Sequence, residues 1–187
     1  MKSWKIGAAI LAVSLFAAAS AQAGAILQDQ SFWYAFEFDA QGAFAIAGPS
    51  YFTGGNVVAA DDPAWTFNVA GPNVAFQVTD GFLKGDIFDV YDFGSLVGET
   101  SNVPQSNVGT TGNPDVAFAD PTYSSASFAM GAGNHSITIK AAVNPYQPPG
   151  EAFFRVKSVD SVTPEPGAMP LMALGLLGLA VVARRRA

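Results

Sequence analysis

Cysteine is absent from all 187 residues, and histidine occurs once, at His135. The first absence excludes disulfide scaffolds, thiolate zinc sites, iron-sulfur clusters and thiol nucleophiles; the second excludes any metal site built from several imidazoles. Charge is scarce as well. Only 13% of residues are charged, and 15 acidic against 9 basic residues give a formal net charge of -6. A chain with a pI near 4.5 repels phosphate backbones, so nucleic-acid partners are not expected. Half of the residues are hydrophobic, which argues against disorder. The length allows one folded domain with terminal extras and hardly two.

The two ends differ in kind from the middle. Lys2 and Lys5 precede an apolar and small-residue stretch from Ile6 to Ala19, followed by Ser20-Ala21-Gln22-Ala23-Gly24. This is the pattern of a secretory signal peptide, residues 1–23, with Ala21 and Ala23 at the two positions where signal peptidase admits small side chains. About 14 apolar residues fall short of the ~20 that a spanning helix needs. At the other end, Pro164-Glu165-Pro166 stands before an uncharged segment from Gly167 to Ala183, closed by Arg184, Arg185 and Arg186. As a helix that segment would reach roughly 25 Å, enough to span a ~30 Å hydrocarbon core with local thinning. The three arginines favour the cytoplasmic side and so leave the body outside. The prolines remove two backbone donors and force an extended segment ahead of the helix, a form that suits a protease groove.

The order of Pro-Glu-Pro, apolar helix and arginine cluster resembles the PEP-CTERM sorting signal of Gram-negative bacteria, which the membrane enzyme exosortase handles. The resemblance covers residues 162–187, with Thr163 where valine is frequent. It implies that Pro164, Glu165 and Pro166 are the recognition and processing site. It also implies that the helix holds the protein in the inner membrane only until the body passes to the cell surface or the extracellular matrix. Setting aside the charges of both ends leaves four basic and fourteen acidic residues in 24–163, a net charge of about -10.

In the body, apolar residues alternate with a period of two, the pattern of half-buried strands. Residues 32–38 and 43–47 read as one hairpin, and 65–69 with 74–78 as a second. Further strands are expected at 87–93, 116–118, 124–130, 136–142 and 152–159, with a long surface loop over 98–115. The expected architecture over 24–161 is all-β: a two-sheet antiparallel β-sandwich, jelly-roll-like, of eight or nine strands. The segments Val78-Thr79-Asp80-Gly81-Phe82, Gly85-Asp86-Ile87-Phe88-Asp89-Val90-Tyr91-Asp92 and Gly98-Glu99-Thr100-Ser101 resemble a sandwich domain that often precedes PEP-CTERM tails. That likeness, over about 65–156, implies a fold and carries nothing about activity.

The candidate sites are few. Asp80, Asp86, Asp89 and Asp92 fall within thirteen positions, and hard cations want several carboxylate oxygens. The spacing is not that of a helix-loop-helix calcium loop. On a strand Asp86 and Asp92 share a face while Asp89 points away, so Asp80, Asp86 and Asp92 are the calcium candidates. No cofactor is expected. His135 lies at a turn into a strand with no nucleophile motif near it. Phe32, Tyr34, Phe36 and Phe38 would share one face of a strand as a core wall, with Trp33 opposite; such rings also serve as sugar-stacking platforms. Among the acids, Glu37, Glu99 and Glu151 offer glycoside hydrolysis no spacing that selects a pair. The expected function is thus an exported, non-catalytic structural or adhesive protein associated with exopolysaccharide. A carbohydrate- or calcium-binding module is the alternative, and a secreted glycoside hydrolase the second.

Overall fold

Alternation becomes strands through most of the body. The computed structural model describes residues 24–28, 32–51, 53–54, 56–71, 73–146 and 149–158. The expected signal and C-terminal helices lie outside the described residues, and so do Ala21, Ala23, Pro164, Glu165, Pro166, Arg184, Arg185 and Arg186. Among the described residues, no helix is long and apolar enough to cross a membrane.

The elements in chain order are β1 (Trp33–Phe38), β2 (Thr53–Gly54), β3 (Val57–Ala59), β4 (Trp65–Val69), β5 (Val74–Asp80), β6 (Phe82–Lys84), β7 (Ile87–Asp92), β8 (Ser95–Glu99), β9 (Ser106–Thr111), α1 (Pro114–Ala119), β10 (Ser125–Met130), β11 (Gly133–Val143) and β12 (Gly150–Ser158). Six strands form one sheet in the order β10-β5-β12-β1-β3-β2, and four form the second in the order β4-β11-β7-β8. The ribbon β6-β9 stands apart from both. Strand pairs are antiparallel except β1 with β3. The protein is an all-β sandwich in which the chain crosses directly between sheets at β3 to β4, β4 to β5, β10 to β11 and β11 to β12.

The interior of the sandwich is aromatic. Phe36, Phe38, Trp65, Phe76, Phe88 and Phe154 are fully buried in one cluster with Ile137, Ile139 and Val90. Phe36 lies between Trp65 at 5.7 Å and Phe88 at 5.5 Å, so one ring ties the two sheets together. Every residue of β1 except Glu37 is buried, because the six-stranded sheet is covered on its outer face too. There Trp33 packs against Phe118 of α1, its Nε1 donates to Asp115 Oδ1 at 3.0 Å, and the Arg155 guanidinium lies 4.0 Å above its ring. The expected division of β1 into two faces holds, and both faces are packed interior.

Four local expectations are corrected. The segments 65–69 and 74–78 are no hairpin: β4 and β5 belong to opposite sheets, and the turn between them is a corner. Ala43 to Ala47 forms no strand. Ile46 N donates to Glu37 O, but Ala45 N donates to Ile139 O and Ala43 O accepts from Ala141 N, so this segment is shared between the sheets. Residues 116–118 lie in α1, because Asn113 Oδ1 accepts from Asp115 N at 3.0 Å and Pro114 presets the first turn. The 98–115 stretch contains β9, which pairs with β6. Among the described residues nine strands have five residues or more, and three shorter ones escape a period-two reading.

Candidate functional site

The end of β5, in the six-stranded sheet, and the start of β7, in the four-stranded sheet, are joined by a short excursion through β6. β5 finishes at Asp80, paired with Ala152 of β12, while Ile87 at the start of β7 pairs with Val143 of β11. The chain between them turns out through β6 and returns at Gly85. Gly85 has φ +123°, and a Cβ there would lie 2.8 Å from the Gln105 backbone, so only glycine fits this return. The consequence is that Asp80 and Asp86, six apart in sequence, lie side by side.

Asp80 is fully buried and Asp86 is 5% exposed. Asp80 Oδ1 accepts from Gly81 N at 2.7 Å, and its Oδ2 accepts from Gly85 N at 3.0 Å and Asp86 N at 3.1 Å. Asp86 Oδ1 is buried without a hydrogen-bond partner. Burial pushes Asp80 up to about 8, and the charge of Asp86 adds to the rise against the pull of the three N–H donors. Burial likewise pushes Asp86 up to about 7, opposed by a hydrogen bond to the Asp80 side chain. At neutral pH the pair therefore holds on to a proton that two exposed aspartates would have lost.

Asp86 also forms part of the wall of a cleft of about 330 Å³. Phe82 and Leu83 of the β6 ribbon line it together with Asn144 and Tyr146 of the β11–β12 connection and Glu151 of β12, to which Tyr51 is hydrogen-bonded. Phe82 is 38% exposed and has φ 57°, a left-handed backbone that is uncommon for a bulky residue. The ribbon is held in place from below. Lys84 Nζ donates to Thr122 Oγ1 at 2.7 Å, lies 3.6 Å from Asp120 Oδ2 and sits over the Tyr123 ring.

The third calcium candidate is elsewhere. Asp92, at the far end of β7, accepts from Ser136 N at 2.9 Å and is 2.8 Å from His135 Nδ1. Among the described residues, no group of three or more acidic or imidazole side chains gathers as a metal site. His135 Nε2 faces Gly131 O at 2.9 Å and the ring stacks on Phe67, so both nitrogens are committed to structure. Glu37 and Glu151 are directly opposite on β1 and β12, and Glu99 lies across from Asp89. Sequence reasoning did not find Tyr51, Asn144 and Tyr146 as cleft residues; the only signal was the proline-rich stretch 145–149, which marks a connection able to wall a pocket.

What handles the chain is decided at its end. Residues 162–186 match the PEP-CTERM protein-sorting motif. The PEP-CTERM tail marks an exported protein, an exosortase substrate with a membrane-anchored C-terminal sorting region. Among solved structures, the pre-peptidase C-terminal domain of a collagenase from Bacillus anthracis is similar, at 14% identity and a TM-score of 0.34, over 72% of this chain and 96% of that one. At that score the likeness carries no argument, and the sandwich stands on the strand pairings above. No curated protein matches the chain. The PEP-CTERM tail therefore speaks for delivery, while the cleft speaks for the body.

Proposed function

We propose that this is an exported, non-catalytic surface or matrix protein, structural or adhesive, delivered by its tail into the exopolysaccharide that surrounds the cell. Signal peptidase cuts after Ala23, the C-terminal helix holds the chain in the inner membrane with Arg184 to Arg186 in the cytoplasm, and exosortase cuts near Pro164, Glu165 and Pro166. The observation that carries this reading is the sorting motif at 162–186. It is supported by a body of about -10 net charge, which stays soluble once released and is repelled by anionic membrane. It is tested by the mass of the protein recovered from cells with and without exosortase.

A second reading is a binding module for carbohydrate or calcium, favoured by the cleft. A 330 Å³ cleft walled by Tyr51, Phe82 and Tyr146 and by the carboxylates of Asp86 and Glu151 is of a size and chemistry for a small polar ligand. Calorimetry with the host polysaccharide and with calcium separates the two ligands, and silence with both removes the module.

A further inference from the structure

Two carboxyl groups are buried together between the end of β5 and the start of β7, and among the described residues no ion pair joins a cation to either. Lys84, the nearest in sequence, is committed to Thr122, Asp120 and the Tyr123 ring. Arg155 is committed to Gln77 and Asp115 on the outer face of the six-stranded sheet. Burying acidic groups without a compensating charge is expensive, and an unpartnered carboxylate oxygen such as Asp86 Oδ1 adds its own desolvation cost. In place of a cation the pair retains a proton, and Asp86 lines a cleft through which a cation can reach it.

We infer that Asp80 and Asp86 bind a hard divalent cation of the size of calcium at the inner end of the cleft. Asp80 accepts three backbone N–H groups and shares a proton with Asp86, which a bound cation displaces, and Asp86 keeps the positions on Oδ1. The donors are all oxygen, which selects calcium or magnesium over softer metals. With two carboxylates the rest of the shell is water and carbonyl oxygen, an incomplete protein cage that suits calcium's flexible coordination better than magnesium's strict octahedron. Two acids predict weak binding, in the ~10⁻⁴–10⁻³ M range of extracellular calcium modules. The Gly85 return that sets the two aspartates together also makes Asp86 N a donor to Asp80, so the pair is preorganised by backbone rather than by side-chain packing.

The inference deepens the binding-module reading and rests on it; the sorting reading stands apart from it. The test is a calcium chloride titration of the full chain, purified in a non-glycosidic detergent, followed by calorimetry and by thermal melting, with magnesium chloride at matched ionic strength. One saturable calcium site is expected, with a melting temperature about 4 °C higher at ten times Kd. In Asp86→Asn, which keeps the side-chain shape, that rise is lost, whereas in Asp89→Asn it persists. No calcium response, an equal response to magnesium, or a response surviving in Asp86→Asn while the variant remains folded each overturns the site. Binding of the host polysaccharide with no calcium response would overturn the cation site and leave a module for carbohydrate. An unprocessed tail would leave the titration untouched.

Discussion

Asp80 and Asp86 show how position rather than identity sets the behaviour of a residue. Their folded-state values lie above the ~3.9 of an unfolded aspartate, so between those limits the folded chain binds more protons than the unfolded one. The pair's contribution to stability is therefore complete at the acid end and is lost as pH rises through about 7 to 8. With a chelator present, melting temperature is expected to fall between pH 5 and pH 8. Asp86→Asn should flatten that fall and raise the value at pH 8; a wild-type melting temperature that climbs across the interval would contradict the pairing. The sequence showed an acidic run and no more than that. It could not show that Gly85 folds the chain back so that Asp80 meets Asp86, nor that the unbroken β7 carries Asp92 to the opposite end beside His135.

At the scale of elements, alternation was legible wherever a strand has one face in the core, as in β4, β5 and β7. It failed where another force decides. Val116, Ala117 and Phe118 read as a strand on side chains alone, but Asn113 caps the N-terminus and Pro114 fixes the first turn of α1. Asn113→Ala is expected to cost about 1 kcal/mol by denaturant unfolding, with Trp33 fluorescence reporting the loosened cover. A change under a few tenths of a kcal/mol would mean the cap is idle. The β4–β5 corner failed for a different reason: hairpin and corner share the same turn residues, and only the choice of sheet distinguishes them. Phe36, which touches both sheets, is the sharper probe of the sandwich. Phe36→Ala is expected to cost about 3–5 kcal/mol, and a loss below ~1 kcal/mol would contradict the packing described.

For the whole molecule, fold and address are separate statements made by separate stretches of chain. The body is a sandwich closed on an aromatic core, with a cleft whose wall includes Asp86, its Oδ1 unpartnered, beside the buried Asp80. Delivery belongs to residues 162–186. That segment was the most legible part of the sequence, because prolines, an apolar run and arginines in a fixed order need no tertiary contacts to be read. The cleft was the least legible, since its walls come from positions as far apart as Tyr51 and Glu151. Intact-mass spectrometry of the protein from wild-type cells and from cells lacking exosortase tests the central claim most directly. The account predicts a chain beginning at Gly24 and ending near Pro164 to Pro166 in the first, and one still carrying Arg184 to Arg186 in the second. The same full-length C-terminus in both would contradict it.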